Sequence, residues 1–203
     1  MSLTADNARE FWNQRYDNEH TPWDRGSVSP ALVEWLEAGV LAPPASVLVP
    51  GCGRGHEVLE LARHGFDVTA VDLSPAALAA LRQRLGAADL DAVLTEGDLL
   101  TWEAGRRFDV VYEQTCLCAL LPENRAQYEH RLRHWVKPGG MLLALFMQSD
   151  KHDDPPFHCP IPEMHRLFPA QAWDWPGEPP ARVPHPAGVF EYAVALRRRP
   201  DAV

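Results

Sequence analysis

Apolar residues along this chain fall into short β-branched runs, and amphipathic stretches separate those runs. Val47-Leu48-Val49 leads into Pro50-Gly51-Cys52-Gly53-Arg54-Gly55, and a helical segment over 57–64 follows. Asp67-Val68-Thr69-Ala70-Val71 is a second run, ending on Asp72. Ser74-Pro75 has the form of a helix start, and an alanine- and leucine-rich helix is predicted over 76–85, stopped by Gly86. Residues 92–95 and 108–112 read as strands, the first ending at Glu96-Gly97-Asp98 and the second followed by Glu113. An amphipathic helix over 125–135 and a turn at Lys137-Pro138-Gly139-Gly140 lead into a strand over 141–147. Strands alternating with helices predict a parallel sheet joined by crossovers.

The two ends of the chain differ in texture. Residues 8–20 predict a polar helix on which Trp12 and Tyr16 share a face, closed by Thr21-Pro22. A loop at Trp23-Asp24-Arg25-Gly26 precedes a second helix, capped by Ser29-Pro30 and running toward Gly39. Residues 148–162 form a loop rich in Pro, Asp and His, before a short helix over 162–168. Two late strands are predicted over 172–175 and 189–196, with a proline-rich connection between them.

The glycine-rich turn carries the chemistry. Glycine lets a backbone turn sharply and approach a ligand without a Cβ in the way. The following helix start offers free N–H groups. An acid about 20 residues after the first glycine, at the tip of the second strand, suits ribose hydroxyls. Asp72 stands there. A dinucleotide fingerprint would need a third glycine where His56 stands, so an NAD-dependent oxidoreductase is the remoter reading. The pattern Gly51-x-Gly53-x-Gly55 resembles the first motif of class I methyltransferases, which bind S-adenosylmethionine.

Composition narrows the field. A chain of 203 residues with 46% hydrophobic and 23% charged residues fits one soluble domain over 1–203. A net charge of -9 argues against a nucleic-acid partner, and the one tight basic run, Arg197-Arg198-Arg199, reads as a frayed terminus. No stretch reaches the roughly 18 apolar residues of a membrane span. The N-terminus shows no basic-then-apolar signal pattern, so a cytoplasmic protein is expected. Cys52, Cys116, Cys118 and Cys159 have neither metal nor disulfide spacing and read as reduced core thiols. His152, His158, Cys159 and His165 match no zinc pattern, and no metal is expected.

Five segments together carry a family likeness: Phe11-Trp12-x-x-Arg15-Tyr16, Thr21-Pro22-Trp23-Asp24, Val49 through Gly55, Ala119-Leu120-x-Pro122-x-x-Arg125, and Pro155-Pro156-Phe157. The chain resembles the thiopurine S-methyltransferase family, and within it the thiol, halide and thiocyanate branch. The resemblance implies a doubly wound, Rossmann-like, mostly parallel seven-stranded sheet with helices on both faces and an antiparallel C-terminal strand. It implies S-adenosylmethionine as methyl donor, S-adenosylhomocysteine as product, a small-molecule acceptor and a monomer. The cofactor set it implies is Trp12, Tyr16, Trp23, Gly51, Gly53, Asp72, Leu73, Asp98, Leu99 and Glu113. Asp72 would hold the ribose, Asp98 and Leu99 the adenine, and Glu113 would close the floor beside the reacting sulfur. Two positions depart from the family: Tyr16 stands where Trp is common, and Gln114 where the thiopurine enzymes have Arg.

Methyl transfer to a thiol, thiopurine, hydrosulfide, thiocyanate or halide needs positioning more than covalent help. The catalytic candidates are Glu113, Tyr16 and His158, the last to contact or deprotonate an acceptor thiol. An oxygen, nitrogen or metalloid oxyanion acceptor is the alternative within the same cofactor class. Residues 8–26 are expected to act as a lid, because their aromatics form a narrow face and Gly26 offers a joint.

Overall fold

The computed structural model describes residues 3–200. Its centre is strand β1 (Ser46–Pro50), buried along its whole length. A strand covered on both faces must be apolar throughout, which is why Val47, Leu48 and Val49 run together without alternation. β2 (Asp67–Asp72) pairs parallel to one side of β1 and β3 (Val93–Glu96) lies beyond it. β4 (Phe108–Gln114) pairs parallel on the other side, followed by β5 (Val136–Gln148). β8 (Phe190–Arg198) is antiparallel to β5, and β6 (Trp173–Asp174) and β7 (Ala181–Pro184) pair with opposite ends of its outer edge. The path is β3-β2-β1-β4-β5-β8-β6. The strand order reverses between β1 and β4, and ligands of open α/β sheets bind at such a point, outside the carboxyl ends of the strands.

Helices α2 (Pro30–Glu37), α3 (His56–Arg63) and α4 (Pro75–Ala87) cover one face with Leu32, Val58, Leu61, Leu78 and Leu81, packed on Val47, Val49, Val68 and Val110. The other face takes α5 (Arg125–Trp135) and α6 (Ile161–Leu167), whose Tyr128, Leu132, Trp135 and Met164 pack on Leu48, Val111, Leu142 and Phe146. Burying each such side chain contributes roughly 1.5–3 kcal/mol, so the two half-cores dominate the fold. Among the described residues no helix is long and apolar enough to cross a membrane.

Four local expectations change. The seven expected strands are present, and an eighth, β7, lies in the connection where Pro179, Pro180 and Pro184 suggested only turns. Its outer position tolerates proline because an edge strand can do without some ladder donors. The expected turn at Lys137–Gly140 lies inside β5: the β4–β5 register shifts between Phe108 and Val110, and the extra residues are absorbed there as a bulge. α1 (Ala8–Asp17) ends earlier than expected, and Glu19 takes φ 54° just beyond it. The basic run is not frayed. Arg198 is buried and its Nη1 donates to the Val136 carbonyl at 2.8 Å, while Arg199 Nε donates to Asp174 at 2.6 Å.

Candidate active site

The carboxyl ends of β1, β2, β3 and β4 open into one cavity of about 460 Å³. Gly51, Asp72, Leu73, Asp98, Leu99, Thr115 and Cys116 line it from the sheet side. Trp12, Arg15 and Tyr16 of α1, with His20, Pro22 and Trp23, close it from above. Lys151, Asp154, Pro155 and Pro156 come from the loop after β5, and His185 and Ala187 from the β7–β8 hairpin.

Asp72 ends β2 buried beneath the glycine turn. Its Oδ2 accepts from the Gly53 amide at 2.8 Å and its Oδ1 from the Ser74 amide at 2.9 Å. Burial pushes its carboxyl above the ordinary range, and these amide bonds work against that shift. One carboxylate therefore ties the Gly turn to the start of α4. Gly53 takes φ 51°, and a Cβ there would sit 2.7 Å from the Tyr16 hydroxyl, so only glycine lets α1 come this close. The Tyr16 phenol is held well above its usual range, by burial first and then by the charge of Asp72, so it stays protonated. Trp12 and Tyr16 each meet Trp23 edge to face, at 5.4 and 5.9 Å between centroids.

α1 is tied down by polar contacts. Asn13 Oδ1 accepts from Ser74 Oγ at 2.9 Å and from the Ala76 amide at 3.1 Å, so it caps α4 beside Ser74 itself. Arg9 reaches the Leu73 carbonyl at 3.3 Å and pairs with Glu96. The loop beyond is fastened at a second place. Asp24 contacts His56 at 2.9 Å and Arg54 at 3.4 Å, and Arg25, its side chain 9% exposed, pairs with buried Glu191 at 2.6 Å while donating to the Pro184 carbonyl. Burial pushes Glu191 up to about 7, against the pull of Arg25.

Of the expected site residues, Trp12, Tyr16, Trp23, Gly51, Asp72, Leu73, Asp98 and Leu99 all line the cavity. Gly53 lines a smaller adjoining cavity of about 60 Å³, which shares Tyr16, Trp23, Gly51 and Thr115 with the larger one. Glu113 and His158 line neither. Glu113 points behind the wall, where its Oε1 accepts from the Leu117 amide at 2.6 Å and its Oε2 has no partner. Burial lifts it to about 7. It buttresses the turn at Thr115, a β-branched residue held at φ 55°, a conformation that costs energy unless its surroundings enforce it. His158 is turned from the cavity because Arg125 Nη2 donates to its carbonyl and its own amide donates to the Lys151 carbonyl. The prolines of the same loop face the cavity instead.

Sequence reasoning did not single out His185. It is 5% exposed, and its Nδ1 accepts from the Ala187 amide at 3.2 Å. Burial, and then the charge of Arg25, lowers it to about 4, so the imidazole is neutral near pH 7. It reaches the cavity on a hairpin whose strand β7 the prolines concealed. Cys116 and Cys118 line the cavity as well, and burial holds both thiols protonated.

The family described as thiopurine S-methyltransferase matches residues 7–175, which takes in the aromatic helix, the Gly turn and the loop after β5. The chain belongs to the thiopurine S-methyltransferase family. Relatives similar to it include a probable thiol methyltransferase 2 of Arabidopsis thaliana, 30% identical over 82% of this chain and 74% of that one. Thiocyanate methyltransferase 1 of Brassica oleracea is 31% identical over 74% of this chain and 67% of its own. Among solved structures, Burkholderia thailandensis 1,6-didemethyltoxoflavin-N1-methyltransferase, with bound 1,6-didemethyltoxoflavin and S-adenosylhomocysteine, superimposes with a TM-score of 0.73 at 25% identity. That match covers 99% of this chain and 93% of the other. This family member is an S-adenosylmethionine-dependent methyltransferase. The buried carboxylate of Asp72 shares the cavity with Leu73, Leu99 and three aromatic side chains, Trp12, Tyr16 and Trp23.

Proposed function

We propose that this methyltransferase transfers the methyl group to a small soft nucleophile, namely a thiol, thiopurine, hydrosulfide, thiocyanate or halide, by in-line displacement. The observation that carries the reading is the chemical poverty of the acceptor end of the cavity. Pro155, Pro156, Ala119, Leu120 and Ala187 give an apolar stretch of wall beside Arg15 and the paired Lys151 and Asp154, the imidazole of His185 is lowered to about 4, and the thiols Cys116 and Cys118 are protonated. An imidazole lowered to about 4 is a weak base for a hydroxyl, and an acceptor that arrives already ionised needs none.

The donor supplies a methyl group already activated by its positive sulfur. The chain's part is placement, which can supply roughly 7–11 kcal/mol when reacting groups are held in line. In this reading Asp72 accepts from the ribose hydroxyls, Leu73 and Leu99 sandwich the base, and Asp98 sits at its edge. Trp12, Tyr16 and Trp23 present ring faces toward the sulfonium, each worth on the order of 0.5–2 kcal/mol by analogy with other cations. Residues 8–22 act as the lid over the cavity. The polar clamps at Asp24 and Arg25 favour a moving part that stops short of Gly26, the joint read from the sequence.

Turnover with a panel of thiols, thiocyanate and iodide, set against catechol with magnesium and primary amines, tests the reading. Soft acceptors should be methylated fastest. Catechol or amine turnover exceeding every soft acceptor would sink it.

A further inference from the structure

Arg15 is a cation without an ion-pair partner among the described residues, and it lines the cavity. Its guanidinium lies over the ring of Phe11, 3.4 Å from the centroid, and Phe11 is itself only 2% exposed. Nη1 donates to the Phe11 carbonyl at 3.0 Å. The carbonyl and the ring fix the plane of the group and use one of its five donors, so most of the fork remains for something else. Burial lowers its pKa, and the one carboxylate acting on it is Asp154. Asp154 is already paired with Lys151 at 3.6 Å. His185, on the same wall, is neutral. The acceptor end therefore carries about one uncompensated positive charge, in the form of a flat, pre-oriented fork.

We propose that Arg15 determines acceptor specificity by binding a carboxylate of the acceptor, so that thiols carrying a carboxylate besides the sulfur are the preferred substrates. This rests on the thiol reading above. A guanidinium matches a planar carboxylate with two parallel hydrogen bonds, a match that neither a halide nor an uncharged thiol can make. Stacking on Phe11 removes much of the side chain's freedom before the substrate arrives, which lowers the cost of forming those bonds. Pro155 and Pro156 stiffen the neighbouring wall, so the distance between the bound carboxylate and the reacting sulfur is set by the protein.

Three thiols of similar size test this: 3-mercaptopropionate, 2-mercaptoethanol and cysteamine, with rates corrected for thiolate fraction. The wild-type protein should favour 3-mercaptopropionate over the other two by about tenfold or more in kcat/KM. In R15Q the KM for that acid should rise about 10- to 100-fold, while the KM for the uncharged mercaptoethanol and the Kd for S-adenosylhomocysteine stay within about twofold of wild type. R15K keeps the charge without the fork and should fall between them; it also serves as the readout should R15Q prove unstable in a thermal melt. Equal losses for all three thiols would overturn the proposal. So would weaker S-adenosylhomocysteine binding in R15Q, which would assign the guanidinium to the cofactor's own carboxylate. Methylation of thiols by the wild type without a carboxylate preference overturns this inference alone. Methylation of oxygen or nitrogen acceptors and of no thiol overturns the thiol reading along with it.

Discussion

Replacing Glu113 by glutamine should stabilise the protein in base and leave it nearly unchanged in acid. The carboxyl is 1% exposed, and burial lifts it from an ordinary 4.5 to about 7, with Glu191 adding to the shift and Arg125 opposing it. The folded state therefore holds a proton between those two values that the unfolded chain has released. Stability is fully present below about pH 4.5 and is lost as pH rises to about 7, by about 3 kcal/mol in total. Glutamine mimics the protonated carboxyl: its oxygen can still accept from the Leu117 amide, and nothing has to ionise. At pH 8.5 E113Q should melt about 6–12 °C above wild type, since about 1 kcal/mol moves Tm by about 2–4 °C at this size. At pH 5 the gap should shrink to less than about 1 kcal/mol. Differential scanning calorimetry at both pH values measures it, and S-adenosylhomocysteine affinity should stay within a few-fold, because the group faces away from the cavity. A variant less stable than wild type at pH 8.5 and deprived of cofactor binding would refute this, and would return Glu113 to the floor of the site as a working carboxylate.

Two further outcomes follow from the cofactor end. D72N should weaken S-adenosylhomocysteine binding by at least about tenfold by calorimetry, since charged acceptors make bonds of roughly 1.5–3 kcal/mol. It should also destabilise the fold, because an amide nitrogen turned toward either Gly53 or Ser74 meets another donor. Limited proteolysis should cut within residues 18–22 without cofactor and much less with it, leaving the clamped stretch at Asp24 and Arg25 intact in both states. Equal cleavage in the two states would favour a permanently seated cap over a lid.

Much of the cofactor end was legible because its signals are local in sequence. Gly51 follows directly on β1, Asp72 ends β2 and Asp98 lies two residues beyond β3, and the sheet order brings them together. The aromatic positions 12, 16 and 23 were legible by helical spacing and family likeness. The acceptor end was not legible in the same way. His185 and Ala187 arrive on a hairpin whose short strand β7 is flanked by prolines and pairs with β8. Cys116 and Cys118 read as core thiols, since no periodicity tells a cavity wall from a core. The acid at 113 was found, but its direction was not: adjacent strand residues point to opposite faces, and a turn at positive φ lies just beyond it. The bulge in β5 hid for a similar reason, since Pro138-Gly139-Gly140 spells a turn and only the pairing with β4 shows otherwise.

The bond from Asn13 to the start of α4 ties two equilibria together. Asn13 holds Ser74 and Ala76, and Ser74 in turn donates its amide to the carboxylate that ends β2. With Asp72 as the proposed ribose acceptor, seating of the first helix and binding of the nucleoside would share a set of atoms, and a free energy of coupling between them would act in both directions. Whatever factor the docked helix adds to cofactor affinity, the bound cofactor returns to the docking of the helix. Release of the product would then be a cooperative event, in which loosening at the ribose and undocking at residue 13 each lower the barrier to the other.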